Sequence, residues 1–489
     1  MDLPMTQIEL SLSCRDLASR DMLSTSDPMA VLYFKDVIKG KYTELGRTER
    51  IKNTVNPDFV TKIPVDYYFE EQQKLKFDIY DIDSEQETLK EHDFLGKVEI
   101  TLGEIVGAPS SRIIRPLKGG RKSKGDLLVS AEDVGTSREV AVLQWRGIKL
   151  DKKDMLGKSD PFVTMYKQND DNTHDLIGGF QTTFKSLRQG RGELNSYELI
   201  NPKKQMKKKG YKNSGILELV RCSVHTEHSF LDYIRGGTQI HFTVAVDFTA
   251  SNGTPSSMES LHYIHPQMPN QYMIALKAVG EICQDYNTSK LFPALGFGAK
   301  LPNGSVSHEF FMNFHPNDPR CYGVEGILNA YQKAITSVQL YGPTNFSPAI
   351  NHVSRIAANS VLDGSQYFIL LIITDGVITD FDQTKAAIIH ASSLPMSIII
   401  VGVGNDDFNA MEALDADKGR LQAFGQVAER DIVQFVPFVK YQNENPFLSQ
   451  KKLAKDVLKE IPGQLTSWMQ LRGINPMKVP LVNPESQRA

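Results

Sequence analysis

The chain says one phrase twice. Asp21-Met22-Leu23-x-x-Ser26-Asp27-Pro28 returns as Asp154-Met155-Leu156-x-x-Ser159-Asp160-Pro161. Asp21 to Asp154 and Asp27 to Asp160 both span 133 positions, so the N-terminal half must fold as two related modules. In each copy two aspartates sit six residues apart on a loop that ends in Ser-Asp-Pro. Paired carboxylates offer oxygen ligands to a hard cation, and calcium is the one that takes many oxygens in flexible geometry. Two solvated acidic turns are the plainer alternative.

Length bounds the rest. At 489 residues, and roughly 100–200 residues per domain, about three domains are expected. A net charge of −3 says little about partners. Cys14, Cys222, Cys283 and Cys321 show no C-x-x-C spacing, which argues against a zinc site or a disulfide framework and for a reduced, intracellular setting. Met1-Asp2-Leu3-Pro4 does not start a secretory signal. The apolar runs 368–373 and 398–403 fall far short of the ~18 residues a membrane span needs, so any membrane contact is expected to be peripheral.

The first ~130 residues read as short strands between turns. Ile8, Leu10 and Leu12 alternate, 29–34 is rich in β-formers, and Leu75, Phe77 and Ile79 alternate again. That is the pattern of an all-β sandwich. Asp21 and Asp27 fall on one inter-strand loop; Asp81, Asp83 and Asp93 fall on a later one closing at Phe94-Leu95-Gly96. Five carboxylates converging at one end repel each other until a cation arrives. The Asp…Ser-Asp-Pro loop, the Asp-x-Asp pair and His92-Asp93-Phe94-Leu95-Gly96 resemble the calcium loops of a C2 domain. That resemblance implies bound Ca²⁺ whose remaining positions go to anionic lipid headgroups. Neutralising the five carboxylates would turn the loop tip positive, an electrostatic switch. Met22 and Leu23 would insert into lipid or pack back onto the sandwich.

The second copy departs from the first. Asp27 to Asp93 is 66 residues, whereas Asp160 to Asp175, in His174-Asp175-Leu176-Ile177-Gly178, is only 15. The 51 residues of difference would carry several strands and the Asp-x-Asp pair, and a sandwich that loses them halves its core. The expected product is a truncated second C2 unit, rebuilt or incompletely folded, in which Asp154, Asp160 and Asp175 remain as calcium candidates. Lys203, Lys204, Lys207, Lys208 and Lys209 form the strongest charge run; beside a lipid-binding module each can contribute on the order of 1 kcal/mol at an anionic surface. A solvated hairpin tip is the alternative. Nucleic acid is not expected, because no aromatic beyond Tyr211 is interleaved.

From about residue 229, long apolar strands alternate with helical periods. Residues 240–248, 368–374 and 396–403 are strand-like, and 271–286, 324–338 and 348–362 have helical spacing. Such alternation builds a doubly wound α/β fold with a parallel sheet, whose ligands sit beyond the carboxyl ends of the strands. The chemical residues fall there: Asp247-Phe248-Thr249-Ala250-Ser251, Gly342-Pro343-Thr344 and Thr374-Asp375-Gly376. Asp247, Thr249, Ser251, Thr344 and Asp375 resemble the metal-ion-dependent adhesion site (MIDAS) of the von Willebrand factor A fold, with threonine at the middle position. Three hydroxyls and two carboxylates suit Mg²⁺ or Mn²⁺. The resemblance implies direct coordination by the hydroxyls, aspartates acting through water, and an open position for a partner's carboxylate. Aspartates that merely cap helices are the alternative.

Two C2 units followed by an A domain make the chain resemble the copine family, with boundaries expected at 1–130, 131–225, 226–445 and 446–489, the last a helix and a loose tail. The resemblance implies a calcium-dependent phospholipid-binding adaptor that carries intracellular target proteins, held by the A domain, to anionic membranes. It is expected in the cytoplasm and nucleus, moving to the plasma membrane or other intracellular membranes as calcium rises. A soluble A-domain scaffold with impaired recruitment is the alternative. No enzyme is expected: Gly157-Lys158-Ser159 lacks the upstream glycine of a P-loop, and no catalytic triad or metal-protease motif is present.

Overall fold

The computed structural model describes residues 6–18, 25–36, 40–82, 88–119, 124–134, 139–151, 163, 176–207, 209–415, 419–442 and 445–477. The chain divides into two compact units, one made of Met1–Gly135 with His228–Ala489 and the other of Thr136–Glu227.

The first module is the expected sandwich. β1 (Thr6–Arg15), β2 (Pro28–Asp36), β3 (Lys41–Arg47), β4 (Ile63–Tyr67), β5 (Lys74–Asp81), β6 (Asp93–Thr101), β7 (Arg112–Pro116) and β8 (Asp126–Asp133) pair antiparallel. They form two sheets, β4-β1-β8-β7 and β3-β2-β5-β6. Alternation drives Ile8, Leu10, Leu12 and Cys14 of β1 and Leu75, Phe77 and Ile79 of β5 into one core. Pro28 stands opposite Asp81 and Asp81 opposite Asp93 in the strand register, so the carboxylate-bearing ends of β2, β5 and β6 lie side by side.

The second copy is a single sheet. β9 (Glu139–Ile148), β10 (Ser196–Glu198) and β11 (Ile216–Thr226) run in the order β10-β11-β9. The limits of β9 are those of β1 displaced by the 133-residue repeat. β1 is flanked by β4 and β8, whereas β9 pairs only with β11 among the described residues. No second sheet faces it among those residues, so Leu143 and Trp145, the counterparts of fully buried Leu10 and Leu12, are only half buried. Trp145 is covered instead by Phe180 and Tyr197, whose rings stack at 4.1 Å.

The A domain sets β12 (Gln239–Asp247) at the centre of a sheet ordered β14-β13-β12-β15-β16-β17, with β13 (Leu291–Phe297), β14 (Phe310–Phe311), β15 (Gln366–Thr374), β16 (Met396–Gly402) and β17 (Val433–Pro437). Pairings among these six strands are parallel except that of β14 with β13, and a short seventh strand, Arg320–Tyr322, also pairs antiparallel with β13. Helices cover both faces: Gln271–Cys283 and Gly323–Ser337 belong to one core, Ser347–Asn359 and Phe381–Ala391 to the other. The closing segment, expected as one helix, is two, Pro446–Leu458 and Ile461–Leu471, the second carrying Pro462 in its first turn, where a proline costs no helical hydrogen bond.

The sandwich and the A domain share one continuous apolar core. Phe69 packs on Phe230 and Tyr286, the Tyr67 and Tyr286 hydroxyls meet at 2.5 Å, and Thr101 Oγ1 donates to Asp285 Oδ2 at 2.5 Å. The approach is close because position 107 is glycine: a Cβ there would stand 2.3 Å from the Asp285 carbonyl oxygen. Burial pushes the Asp285 carboxyl up to about 6, against the pull of Thr101 and Lys290. A carboxyl raised above its unfolded value contributes its full stability at low pH and loses it as pH rises through about 6. Asp285→Asn is therefore expected to raise the melting temperature at pH 7.5 by the equivalent of ~3 kcal/mol, and to gain nothing near pH 4. Calorimetry at both pH values checks it; an equal change at both would locate the effect in packing, not in charge.

Candidate metal centres

At the tip of the first sandwich, the pairing of β2 with β5 puts Asp27 beside Asp81. The Asp27 N–H donates to Asp81 Oδ1 at 2.6 Å. Asp81 is 1% exposed, and its Oδ2 finds no hydrogen-bond partner among the described residues. A buried, orphaned carboxylate oxygen beside a second carboxylate fits a calcium ligand. Asp93 lies across the register from Asp81 and is exposed. The Asp27 carboxylate is already occupied: Arg50 donates to Oδ2 through Nη2 at 2.5 Å and Nε at 3.0 Å, and the Asn53 N–H donates to Oδ1 at 2.8 Å. Burial works against its ionisation, but the Asn53 amide and the Arg50 guanidinium outweigh that and hold its carboxyl below the usual range. Asp21, Asp83, Met22 and Leu23 lie outside the described residues.

The A-domain site is built where β12 and β15 end. Their parallel register sets Val246 beside Ile373, so Asp247 and the Thr374-Asp375 pair emerge together. Thr249 donates to Asp247 Oδ1 through N at 2.8 Å and Oγ1 at 2.6 Å. The Thr249 and Ser251 hydroxyls meet at 2.9 Å, and Ser251 Oγ donates to Asp375 Oδ1 at 3.0 Å. Four of the five expected ligands are thus one hydrogen-bonded chain. Thr344 is buried; its N–H donates to the Thr379 hydroxyl at 3.2 Å, and its carbonyl accepts from the Thr379 N–H at 2.8 Å. Gly298, at φ +74°, leaves room that a Cβ would take 2.3 Å from Thr249 Cγ2. Asp247 and Asp375 are 0% and 2% exposed. Burial, then the charge of Asp247, pushes Asp375 up to about 7, and burial raises Asp247 as well. Two carboxylates forced together in an apolar end fit a small dication that would relieve both.

Comparison with known proteins then decides the architecture. Residues 10–117 match the C2 domain family and residues 260–477 match the Copine family. The chain has the copine-family architecture. Solved structures similar to it include a C2 domain of plant Extended Synaptotagmin 1 (14% identity, 27% of this chain and 97% of that one, TM-score 0.21). They also include BON1-C2B (23%, 27% and 92%, 0.20) and the calcium-bound tandem C2 domains of Extended-Synaptotagmin 2 (17%, 29% and 57%, 0.21).

Among the described residues, no three His, Cys, Asp or Glu side chains are grouped to hold a metal. The set expected in the copine domain is three hydroxyls and only two carboxylates, and two of the five expected C2 carboxylates, Asp21 and Asp83, fall outside those residues. In the shortened copy, Asp154, Asp160 and Asp175 also fall outside, as does Lys208. Lys203 and Lys207 are exposed on the helix Pro202–Lys207, and Lys209 is exposed just after it, a helical turn rather than a hairpin tip. Lys204 is committed to an ion pair with Asp151.

Sequence reasoning missed what braces the copine-domain site. Thr374 Oγ1 donates to Asp247 Oδ2 at 2.6 Å, and only its place beside Asp375 hinted at it. His262 is wholly buried between the rings of Phe248 and Tyr272. Its Nε2 donates to the Asp247 carbonyl at 2.8 Å, so Nδ1 accepts from the Tyr331 hydroxyl at 2.8 Å. Burial pushes its imidazole down to about 3, which keeps it neutral. Nothing in the sequence marks His262.

Arg50 occupies the Asp27 carboxylate, so a calcium ion that uses Asp27 would have to displace it. Arg50→Gln is expected to raise calcium affinity at least about threefold, because a cation no longer has to leave Asp27, and titration calorimetry reads it directly. Weaker or unchanged affinity would mean that Arg50 only orders the loop.

Proposed function

We infer that a C2 domain followed by a Copine domain gives this chain a membrane- and calcium-related adaptor role. We propose that this chain is a calcium-dependent phospholipid-binding adaptor whose copine domain captures intracellular protein partners and brings them to anionic membranes. The observation that carries it is the buried, unpartnered Asp81 Oδ2 beside Asp27, at the tip of a sandwich whose core is continuous with the domain holding Asp247 and Asp375. Calcium, when bound, supplies the positive charge that anionic headgroups meet. The chain's own part is to hold Asp27, Asp81 and Asp93 at adjoining strand ends, and to fix the sandwich on the copine domain so that both sites move together.

No helix among the described residues is long and apolar enough to cross a membrane. Mg²⁺ or Mn²⁺ in the copine domain would offer an open coordination position to a partner's carboxylate; Asp247, Thr249, Ser251, Thr344 and Asp375 hold it, braced by Thr374 and His262. We assign no catalytic step to the chain and place it in the cytoplasm, moving to membranes as calcium rises.

Sedimentation with phosphatidylserine vesicles tests the first half. The wild-type chain is expected to pellet with calcium and not with chelator, and Asp81→Asn to need at least about tenfold more calcium, since one ligand charge is gone. Failure of the wild type to pellet would favour the soluble scaffold. For the second half, Asp247→Ala is expected to leave vesicle binding intact and to abolish magnesium-dependent pull-down of partners; an unchanged pull-down would refute a metal-dependent partner site.

A further inference from the structure

A third carboxylate stands at the copine-domain site. Asp406 lies in the loop after β16, and its Oδ2 is 3.8 Å from the point where a Cβ on Gly376 would stand; Ser251 Oγ is 3.8 Å from the same point. The two oxygens are therefore separated by no more than twice that distance, and because residue 376 is glycine no side chain fills the gap. The loop is pinned on both sides. The Gly404 N–H donates to Gln271 Oε1 at 2.9 Å, Gln442 holds Asn405, and the Asp407 carboxylate is taken by Asn409. Asp406 is exposed, and its carboxylate has no partner among the described residues. Its charge also reaches Asp375.

This rests on the metal-site reading given above. One dication against Asp247, Asp375 and Asp406 leaves the site negative, and a partner's carboxylate arriving at the metal adds to that charge. Exposed, unpaired charge at a binding rim sets which partners are accepted more than how tightly they are held. Tyr341 and Val377, 51% and 63% exposed and within three residues of Thr344 and Asp375, give the same rim apolar surface. We propose that Asp406 makes this site selective for partner segments that carry a lysine or arginine close to the carboxylate that meets the metal.

A random peptide library displayed on phage, panned on the purified full chain in Mn²⁺ and eluted with EDTA, tests this. The expected result is that eluted peptides pair Asp or Glu with Lys or Arg within two or three residues. On Asp406→Lys, checked for folding by its melting curve and for metal by Mn²⁺ titration, the basic residue is expected to disappear from the selected peptides. A synthetic peptide from the wild-type selection should bind Asp406→Asn about two- to fivefold more weakly, and Asp406→Lys more weakly still. EDTA-eluted peptides without basic residues, or with equal affinity for wild type and Asp406→Lys, would overturn the proposal. If wild type and Asp247→Ala alike yield no metal-dependent peptides, the metal-site reading itself fails, and Asp406 selectivity falls with it.

Discussion

Two carboxylates at the ends of adjacent, fully buried strands set the terms for the A domain. β12 and β15 are apolar on both faces because helices cover the sheet on each side. Asp247 and Asp375 must therefore emerge into a nearly dry pocket, where ionisation is costly unless something answers it. The protein answers with hydroxyls from Thr249, Ser251 and Thr374, arranged edge to edge, and with a neutral histidine beneath the Asp247 carbonyl. The stacked rings of Phe248, His262 and Tyr272 hold that histidine, so the loop that carries the ligands is supported by packing rather than by further charge.

The first sandwich solves a similar problem in the opposite way. Asp81 is as buried as Asp247 and Asp375, but Asp93 beside it is exposed, and the Asp27 carboxylate is held by the Arg50 guanidinium rather than by hydroxyls. A site with one exposed carboxylate suits a larger ion of flexible coordination, and one closed by short hydroxyls suits a smaller, fixed ion. The sandwich is not a free tether: Tyr67, Phe69, Thr101 and Gly107 close onto Tyr286 and Asp285. A tip that meets a surface therefore presents the A-domain site in a fixed direction.

The repeat made much of this readable. The alternations at 7–13, 29–34 and 75–80 lie within β1, β2 and β5, and the strand and helix periods beyond residue 229 lie where the α/β sheet and its helices stand. Asp247, Thr249, Ser251 and Asp375 could be named together because chemistry collects at the carboxyl ends of parallel strands. The second copy was legible only as a loss. The 133-residue offset gives the limits of β9, but not that β9 would pair on one side alone and fold Trp145 against Phe180 and Tyr197.

What the sequence determined by itself is local: periodicity fixes which residues face a core, and the repeat fixes where the second copy's first strand begins and ends. What only the tertiary structure decided is long-range. His262 reaches Asp247, Arg50 reaches Asp27, Asp406 reaches the rim beside Ser251, and Asp285 reaches Thr101. Each contact joins segments that the chain keeps apart and the fold brings to one point. No pattern of neighbouring residues encodes them, because they arise from how sheets and helices stack once their apolar faces are buried.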